Sequence, residues 1–408
     1  MRAGAVPLKI SPLLPLGFAV ALSLLGDLSL FATLTTQLGA LHLTLAQAGI
    51  LLSIHRLVRI PGNPLAGAWM DHVGRRPLFL LGMLLAVLST ASYGLVSGFW
   101  PLLLGRVGWG MAWTLINVGG LNMVLDLSTT ASRGRLAGLY NAWVWVGYAL
   151  APLLGGFLVD TVSFRPAMLI LAGVTVLGLG GAGLALPETL STEVRAQSRG
   201  GVLDRLAVLW QTGRELVTHQ PALRRGMILF AMVQFAGDGI VLSSLALLVV
   251  QRLGTAINLG AAVIGAASLS GGLLALRSVV AGFTGPLAGL LSDRRFTRAA
   301  VIAGGLALGA LSFGVLALGS ALPVLAVGVV VGAVAGGALS TNLPAYLGDV
   351  APVEQRGAAL GVYATFGDAG SMLGPFLALA LVPVVGLAPV YLFAALVFIG
   401  GIFLILRP

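Results

Sequence analysis

Residues 64–76 read PLAGAWMDHVGRR, and residues 286–295 read PLAGLLSDRR, so a PLAG segment followed by an aspartate recurs 222 positions along the chain. Other matches lie at offsets of 211 to 223 positions and keep loop charges in register. The pairs include Gly26-Asp27 with Gly237-Asp238, Asp126 with Asp349, Arg133-Gly134 with Arg356-Gly357, and Tyr140 with Tyr363. Chance similarity between apolar helices would not preserve loop charges. The pattern therefore predicts two homologous halves.

The composition is typical of a membrane protein. Of 408 residues, 58% are hydrophobic and 9% are charged, and the mean hydropathy is +1.02, whereas soluble domains carry about 25% charged residues. The apolar runs are continuous and about 20 residues long, which favours membrane-spanning helices over a barrel of alternating strands. We therefore expect an all-α membrane protein with twelve transmembrane helices in two six-helix bundles.

Twelve spans can be placed on the sequence, and they divide it into three parts. Residues 1–187 form the first bundle, 188–225 a polar cytoplasmic linker, and 226–408 the second bundle. The linker has apolar residues at helical spacing over 202–218, which predicts an amphipathic surface helix. The predicted spans lie near residues 12–36, 45–69, 77–97, 101–125, 135–159, 164–186, 226–250, 262–290, 299–319, 323–347, 357–381 and 386–406.

The net charge of +10 reports membrane topology. With twelve spans and a cytoplasmic N-terminus, almost all basic residues fall on the cytoplasmic side, and only Arg165 and Arg252 fall outside, as the positive-inside rule requires. We expect a multi-pass protein of a bacterial cytoplasmic (inner) membrane with both termini in the cytoplasm. Its partners would be the bilayer, protons and a small-molecule substrate, with no nucleic acid. We expect a monomer.

Several classes of site are not supported. The only lysine is Lys9, so a Walker motif is excluded. The four histidines are scattered and cysteine is absent, so no metal site or other cofactor is expected. The run Gly178 to Gly183 matches a dinucleotide fingerprint but lies inside an apolar span, where it is expected to pack against other helices. No catalytic constellation is evident, so we do not expect an enzyme.

The loop after the second span resembles the signature loop of the major facilitator superfamily. It has Gly67, then Asp71, then Arg75 and Arg76 after a further glycine, and its echo carries Asp293. The resemblance implies a gating loop at the cytoplasmic side. There Gly67 would allow close helix approach, and Asp71 would pair with an arginine or a helix N-terminus across the two halves.

Two further motifs resemble that superfamily and extend the likeness over essentially the whole chain. Arg106 in the fourth span, with Gly110 four residues later, is similar to a motif linked to proton coupling. In the fifth span, Gly138, Gly147 and Pro152 followed by Gly155-Gly156 resemble a motif of drug:proton antiporters. The resemblance implies a twelve-helix transporter with alternating access, in which Pro152 belongs to the moving parts.

Charged residues inside the spans are costly and indicate functional sites. Asp27, Asp238 and Asp368 are candidates to carry a proton, with Asp27 favoured because the first helix usually lines the cavity. Arg56 and Arg59 lie on one broad face of the second span. We expect one of them to pair with Asp368 in the other half, or alternatively with Asp27 in its own half.

Helical spacing also suggests which side chains face a substrate cavity. Arg106, Gly110, Trp113 and Asn117 are three or four residues apart on the fourth span. Gln234 lies four residues before Asp238 on the seventh span. We expect Trp113, Asn117 and Gln234, with Arg56 and Arg59, to contact substrate.

These features favour a secondary active transporter that exports small amphipathic or drug-like compounds in exchange for protons. A carrier of an organic anion or anionic lipid is the alternative, because the four intramembrane arginines outnumber the three central carboxylates. These arginines are Arg56, Arg59, Arg106 and Arg277. A channel is a further possibility, although the twofold repeat suits alternating access better.

Overall fold

The computed structural model describes residues 12–129, 132–191, 211, 213–260, 262–352 and 355–407. Most of the predicted surface helix, as well as the linker residues Arg195, Arg199 and Arg205, lies outside these ranges. Residues 213–219, at the end of the linker, are helical.

Twelve long helices make up almost all of the described chain, and their positions follow the apolar runs. They are α1 (Leu13–Thr33), α2 (Leu45–Val73), α3 (Arg75–Leu95), α4 (Phe99–Asp126), α5 (Arg133–Val162), α6 (Phe164–Ala185), α7 (Pro221–Leu253), α8 (Ala266–Arg294), α9 (Arg298–Leu318), α10 (Leu322–Val350), α11 (Arg356–Val385) and α12 (Leu387–Leu406).

Ten of the helices in the described ranges are long and apolar enough to cross a membrane. The other two, α2 and α4, are 29 and 28 residues long and carry Arg56, Arg59 and Arg106, three of the four arginines predicted to lie inside the membrane. They pack against each other and within the bundle.

Local sequence explains several helix boundaries. Thr44 and Gln47 form a reciprocal capping box at the start of α2, and the Thr297 side chain accepts a hydrogen bond from the Ala300 amide at the start of α9. Pro61 and Pro64 lie inside α2, which a helix tolerates when neighbouring helices satisfy the freed backbone groups.

The connection between α7 and α8 differs from the sequence prediction. It contains an antiparallel hairpin of β1 (Ala256–Leu259) and β2 (Ala262–Gly265), so α8 begins at Ala266 rather than near 262. At its other end, α7 begins at Pro221, five residues inside the segment assigned to the linker. We call the end of the bundle with this hairpin the hairpin end, and the end with the loops at Asp71 and Asp293 the loop end.

At the hairpin end, helices from the two sequence halves pack directly against each other. In the pair α5 and α8, Gly156 lies against the carbonyl group of Ala267, and Gly271 lies against that of Pro152. In the pair α2 and α11, a methyl group on Gly49 would lie 2.7 Å from the Pro375 carbonyl oxygen. The hairpin end is therefore closed at these two helix pairs.

A carboxylate crosses the same interface. Asp160 near the end of α5 accepts a hydrogen bond from the Ser268 amide in the first turn of α8, at 2.6 Å. The residue before α8, Gly265, offers no side chain of its own, so Asp160 supplies the missing acceptor at this helix N-terminus.

Candidate functional site

A cavity of about 350 Å³ lies inside the bundle. It is bounded by α5 on one side and by α7, α8, α9, α10, α11 and α12 on the other. Gly332, Ala333 and Gly336 of α10 leave the space open, because side chains this small do not fill it. The aromatic residues of its wall are Trp145, Tyr148, Phe230, Phe313, Tyr363 and Phe398.

Asp238 and Arg277 form an ion pair in the wall of this cavity. Arg277 Nη2 lies 3.0 Å from Asp238 Oδ1, and Gln234 Nε2 donates to Asp238 Oδ2 at 3.3 Å. Gln234 also contacts Ser371 Oγ of α11 at 3.3 Å. Asp238 lies in a π-helical segment of α7, Phe235–Val241, a distortion often found at functional sites.

A second polar cluster lies deep in the first half. Arg106 is only 1% exposed, pairs with Asp27, and donates to the Leu51 carbonyl at 2.8 Å. Its Nη2 atom lies 2.6 Å from His55 Nδ1. Because a guanidinium has no acceptor, His55 accepts this hydrogen bond through an unprotonated Nδ1.

The two clusters occupy corresponding positions in the repeat. Asp27 corresponds to Asp238, and His55 lies 222 positions before Arg277, the same offset as the PLAG segments. In the second half the arginine comes from α8, whereas in the first half it comes from α4. Both halves thus have an aspartate at the corresponding position, but its arginine partner comes from a different helix in each half.

Asp368 joins the two halves. Arg56 Nη1 and Arg59 Nη2 each lie 3.3 Å from Asp368 Oδ1, and all three side chains are largely buried. The cross-half pairing predicted from the sequence is therefore confirmed for both arginines. Asp27, the alternative partner, is paired with Arg106.

The loop end carries a matched pair of charge clusters. In the first, Arg75 lies 2.6 Å from Asp71 and 3.3 Å from Asp126. In the second, Arg298 plays the same part, at 3.2 Å from Asp293 and 2.5 Å from Asp349. These ion pairs lie within one half each, and the cross-half pairing expected for Asp71 stays a prediction. Arg76 instead donates to the Gly183 carbonyl of α6 at 2.6 Å.

Glu188, which sequence reasoning assigned only to the linker, holds the start of α3. Its carboxylate accepts hydrogen bonds from the amides of Arg75 at 3.0 Å and Arg76 at 3.2 Å, and from those of Thr189 and Leu190. Burial tends to raise the pKa of Glu188, but the backbone hydrogen bonds outweigh it and lower the pKa below its usual value. Gly74, at φ +125°, leaves room for this carboxylate, since a methyl group there would lie 2.5 Å from it.

The predicted site residues divide between these locations. Gln234 and Asp238 line the cavity, whereas Trp113, Asn117, Arg56 and Arg59 are not among its lining residues. Trp113 is buried and stacks on Trp109 at 6.0 Å. The face of α4 that carries Trp113 does not reach the cavity, because Gly110 on the same face packs against the His55 backbone of α2.

Two gating residues can also be placed. Pro152 is buried where α5 meets α8. Within the described ranges, the nearest atom to a methyl group at Gly67 would be Val118 Cγ1, at 4.0 Å, so no described helix approaches Gly67 closely. The gating role of Gly67 stays a prediction.

Tyr363 was identified in the sequence only as the repeat partner of Tyr140. In the structure it lies in the cavity wall, 6% exposed, and stacks on Phe230 with ring centroids 3.9 Å apart. Its hydroxyl has no hydrogen-bond partner in the described part of the chain.

A bundle of long apolar helices, with charges buried at its centre and a cavity between helices, is typical of a polytopic membrane protein. The sequence matches the model of the Major Facilitator Superfamily over residues 16–277 and 266–408. The chain belongs to this superfamily.

Among curated relatives, the chain is similar to Multidrug resistance protein 1 of Bacillus subtilis, with 26% identity over 131 residues. That match covers 32% of this chain and 34% of the relative. The similarity thus spans about a third of each protein.

Solved structures share the fold over almost the whole length. A bacterial homolog of the human lysosomal transporter Spinster, in an inward-facing and occupied conformation, superimposes with a TM-score of 0.75 at 17% identity, covering 98% of this chain and 95% of that one. The human organic anion transporter MFSD10 (TETRAN) gives 0.70 at 19% identity, covering 98% and 100%. Identities this low establish the fold alone.

Proposed function

We propose that this chain is a secondary active transporter that works by alternating access and exports small amphipathic, drug-like compounds in exchange for protons. The observation that carries the proposal is the cavity of about 350 Å³, which combines aromatic walls with an ion pair, beneath a hairpin end closed by α2–α11 and α5–α8 contacts. A closed end above an internal site is what one state of an alternating-access cycle requires.

The proposed topology places twelve spans in a bacterial cytoplasmic membrane, in bundles of residues 1–187 and 226–408 joined by the linker. The loop end would face the cytoplasm, and the hairpin end would face outward. The arginines of the loop-end clusters support this orientation under the positive-inside rule.

The proposed coupling site is Asp27 with Arg106. The pair is buried away from the cavity wall, so a proton on Asp27 would release Arg106 without directly displacing substrate. Loss of the ion pair changes how α1 is held against α4 and gives protonation a structural consequence. Asp238 and Asp368 are the other candidate proton carriers, since each is held by arginine in the same manner.

The multidrug relative in Bacillus subtilis supports the proposed class of substrate. One observation favours the alternative, a carrier of an organic anion or anionic lipid: Arg56 and Arg59 share the single carboxylate of Asp368. This leaves an excess positive charge between the halves. The fold similarity to a human organic anion transporter is compatible with that alternative.

The test is transport in vesicles that contain the purified protein and an imposed pH gradient. We expect accumulation of fluorescent amphipathic dyes to follow the gradient in direction and size, and to collapse with a protonophore. Comparing dyes of positive, negative and zero charge separates the two substrate classes. Dye movement that ignores the gradient, or ion conductance without dye movement, would contradict proton-coupled export.

A further inference from the structure

The charged side chains of the cavity wall balance each other. Among the described residues that line the cavity, Asp238 and Arg277 are those with a formal charge, and they form an ion pair at 3.0 Å. The other polar groups of the wall are neutral amides and hydroxyls. The cavity therefore offers a ligand one negative and one positive group and no net charge.

We infer that the cavity selects ligands of zero net charge, zwitterions with an aromatic body above all, and that Asp238 and Arg277 determine this selectivity. The inference rests on the proposed transport function and specifies its substrate class. It distinguishes this cavity from a site for simple organic cations or simple organic anions.

The physical reason is the poor solvation of charge inside a helix bundle. A ligand with one charge is attracted by one member of the pair and repelled by the other, and it leaves the site with an uncompensated charge. A zwitterion places its anionic group toward Arg277 and its cationic group toward Asp238, so the site and ligand together remain neutral.

Hydrogen-bonding capacity is available for such a ligand. Arg277 donates a hydrogen bond to Asp238 through Nη2. Its other guanidinium nitrogens donate to no acceptor within the described residues. An anionic group can therefore be bound without breaking the existing pair. Each Asp238 oxygen accepts one hydrogen bond, which leaves lone pairs for an ammonium group.

Aromatic side chains form part of the same wall. Tyr363 lies there, and its hydroxyl is turned away from the cavity space and buried, without a partner among the described residues. The stacked ring of Phe230 beside it offers an apolar surface for an aromatic body.

The experiment uses four compounds with one fluoroquinolone body. Ciprofloxacin is zwitterionic near neutral pH, its ester is cationic, its N-acetyl derivative is anionic, and the compound with both caps is neutral. Binding to the purified wild-type protein is measured by calorimetry. We expect the zwitterion to bind best, the doubly capped compound next, and each singly charged compound at least about tenfold more weakly than the zwitterion.

The two single variants of the pair should each change the order of affinities, and each should favour a ligand of opposite charge. Asp238→Asn leaves Arg277 alone and should favour the anion, whereas Arg277→Gln should favour the cation. The double variant buries no unpaired charge, so it guards against misfolding, and it should favour the doubly capped compound. Arg252→Gln is the matched control, because Arg252 donates to the Ala317 carbonyl away from the cavity, and it should keep the wild-type order.

The inference is overturned if wild type binds a singly charged compound as tightly as the zwitterion, if it binds none of the four, or if both single variants keep the wild-type order. Gradient-driven transport of the four compounds without any charge ranking would overturn the inference and leave the proposed transport function standing. If wild type ranks the four compounds in binding as expected but transports none of them, the inference stands and the proposed transport function is overturned.

Discussion

Arg106 shows at the residue scale why a buried cation needs several partners. Its guanidinium is held by Asp27, by His55 and by a backbone carbonyl of α2, so three helices meet at one side chain. A lone arginine at this depth would be costly, and the carboxylate provides most of the compensation.

Substitution Asp27→Asn should therefore have two effects. It leaves Arg106 buried without a counter-charge, which we expect to destabilise the protein by about 3–5 kcal/mol, and it should abolish pH-gradient-driven transport. Thermal unfolding in detergent and vesicle transport measure the two effects. The double variant with Arg106→Gln should recover most of the stability but not the transport. Full gradient-driven transport by Asp27→Asn would show that this carboxylate does not carry the proton.

Glu188 gives a pH-dependent contribution to stability. Because the pKa of Glu188 is lowered in the folded protein, chiefly by backbone hydrogen bonds that overcome the effect of burial, its ionised form favours folding. The stabilisation is complete above its usual value of 4.5 and is lost as the pH falls through the depressed pKa.

Melting temperature against pH should accordingly differ between wild type and Glu188→Gln. We expect the variant to melt lower at neutral pH, and the difference to shrink below about pH 4.5. The exposed Glu215→Gln serves as a control and should follow the wild-type curve. Equal melting temperatures for wild type and Glu188→Gln at pH 7 would show that the contacts at the start of α3 contribute nothing.

At the element scale, the sequence predicted where the helices lie but not how each one is oriented. Continuous apolar runs located the twelve long helices, and the repeat located the matching loops. The spacing of Trp113 and Asn117 identified one face of α4, but only the contact of Gly110 with α2 shows that this face meets a helix. Spacing within one helix cannot name its neighbour.

Other features left weak signals or none. The strand Ala262–Gly265 is apolar and short, and the sequence prediction placed it at the start of the eighth span, whereas Ala256–Leu259 fell in the predicted loop before that span. The π-helical segment around Asp238 packs closely against α11 at Gly239 and Gly374, a contact that no local sequence pattern announces. Glu188 reaches a helix more than a hundred positions earlier in the chain, and no local pattern encodes such a contact.

The α5–α8 contact offers a test in which two neighbouring glycines act as each other's control. A side chain at Gly271 would collide with the Pro152 carbonyl, whereas Gly272 has open space around it. We expect Gly271→Val to lower stability and transport sharply, and Gly272→Val to leave both near wild type. Thermal unfolding and vesicle transport measure the outcome. Similar behaviour of the two variants would mean that α5 and α8 do not approach this closely in the membrane.

At the scale of the whole molecule, the two halves are held together by a few charged contacts among many apolar ones. Arg56 and Arg59 reach Asp368 across the α2–α11 contact, and Asp160 reaches α8. By contrast, the loop-end ion pairs described above join residues of the same half. The arrangement favours the state in which the hairpin end is closed.

Removing the Asp368 charge should shift the molecule away from that state. The chain lacks cysteine, so Ala48→Cys, at a fully buried position beside the α2–α11 contact, can report opening of the hairpin end. We expect Asp368→Asn to raise its labelling rate with a water-soluble thiol reagent. The exchange of Arg59→Asp with Asp368→Arg should restore slow labelling.

Arg252→Gln is the control for this experiment, because Arg252 donates to the Ala317 carbonyl, a contact that does not join the two halves. Slow labelling of Ala48→Cys in the Asp368→Asn background would show that the ion pairs between α2 and α11 do not hold the hairpin end closed.

The contacts at Gly156 and Gly271 place one main chain directly on another. Surfaces that meet in this way can part without any side chain changing its rotamer, so the activation barrier for separation lacks the contribution that interlocked side chains would add. In the proposed alternating-access cycle, the speed of opening would then depend mainly on the ion pairs and the bound ligand. A contact of this kind between α5 and α8 would be close enough to exclude solutes and could still separate quickly.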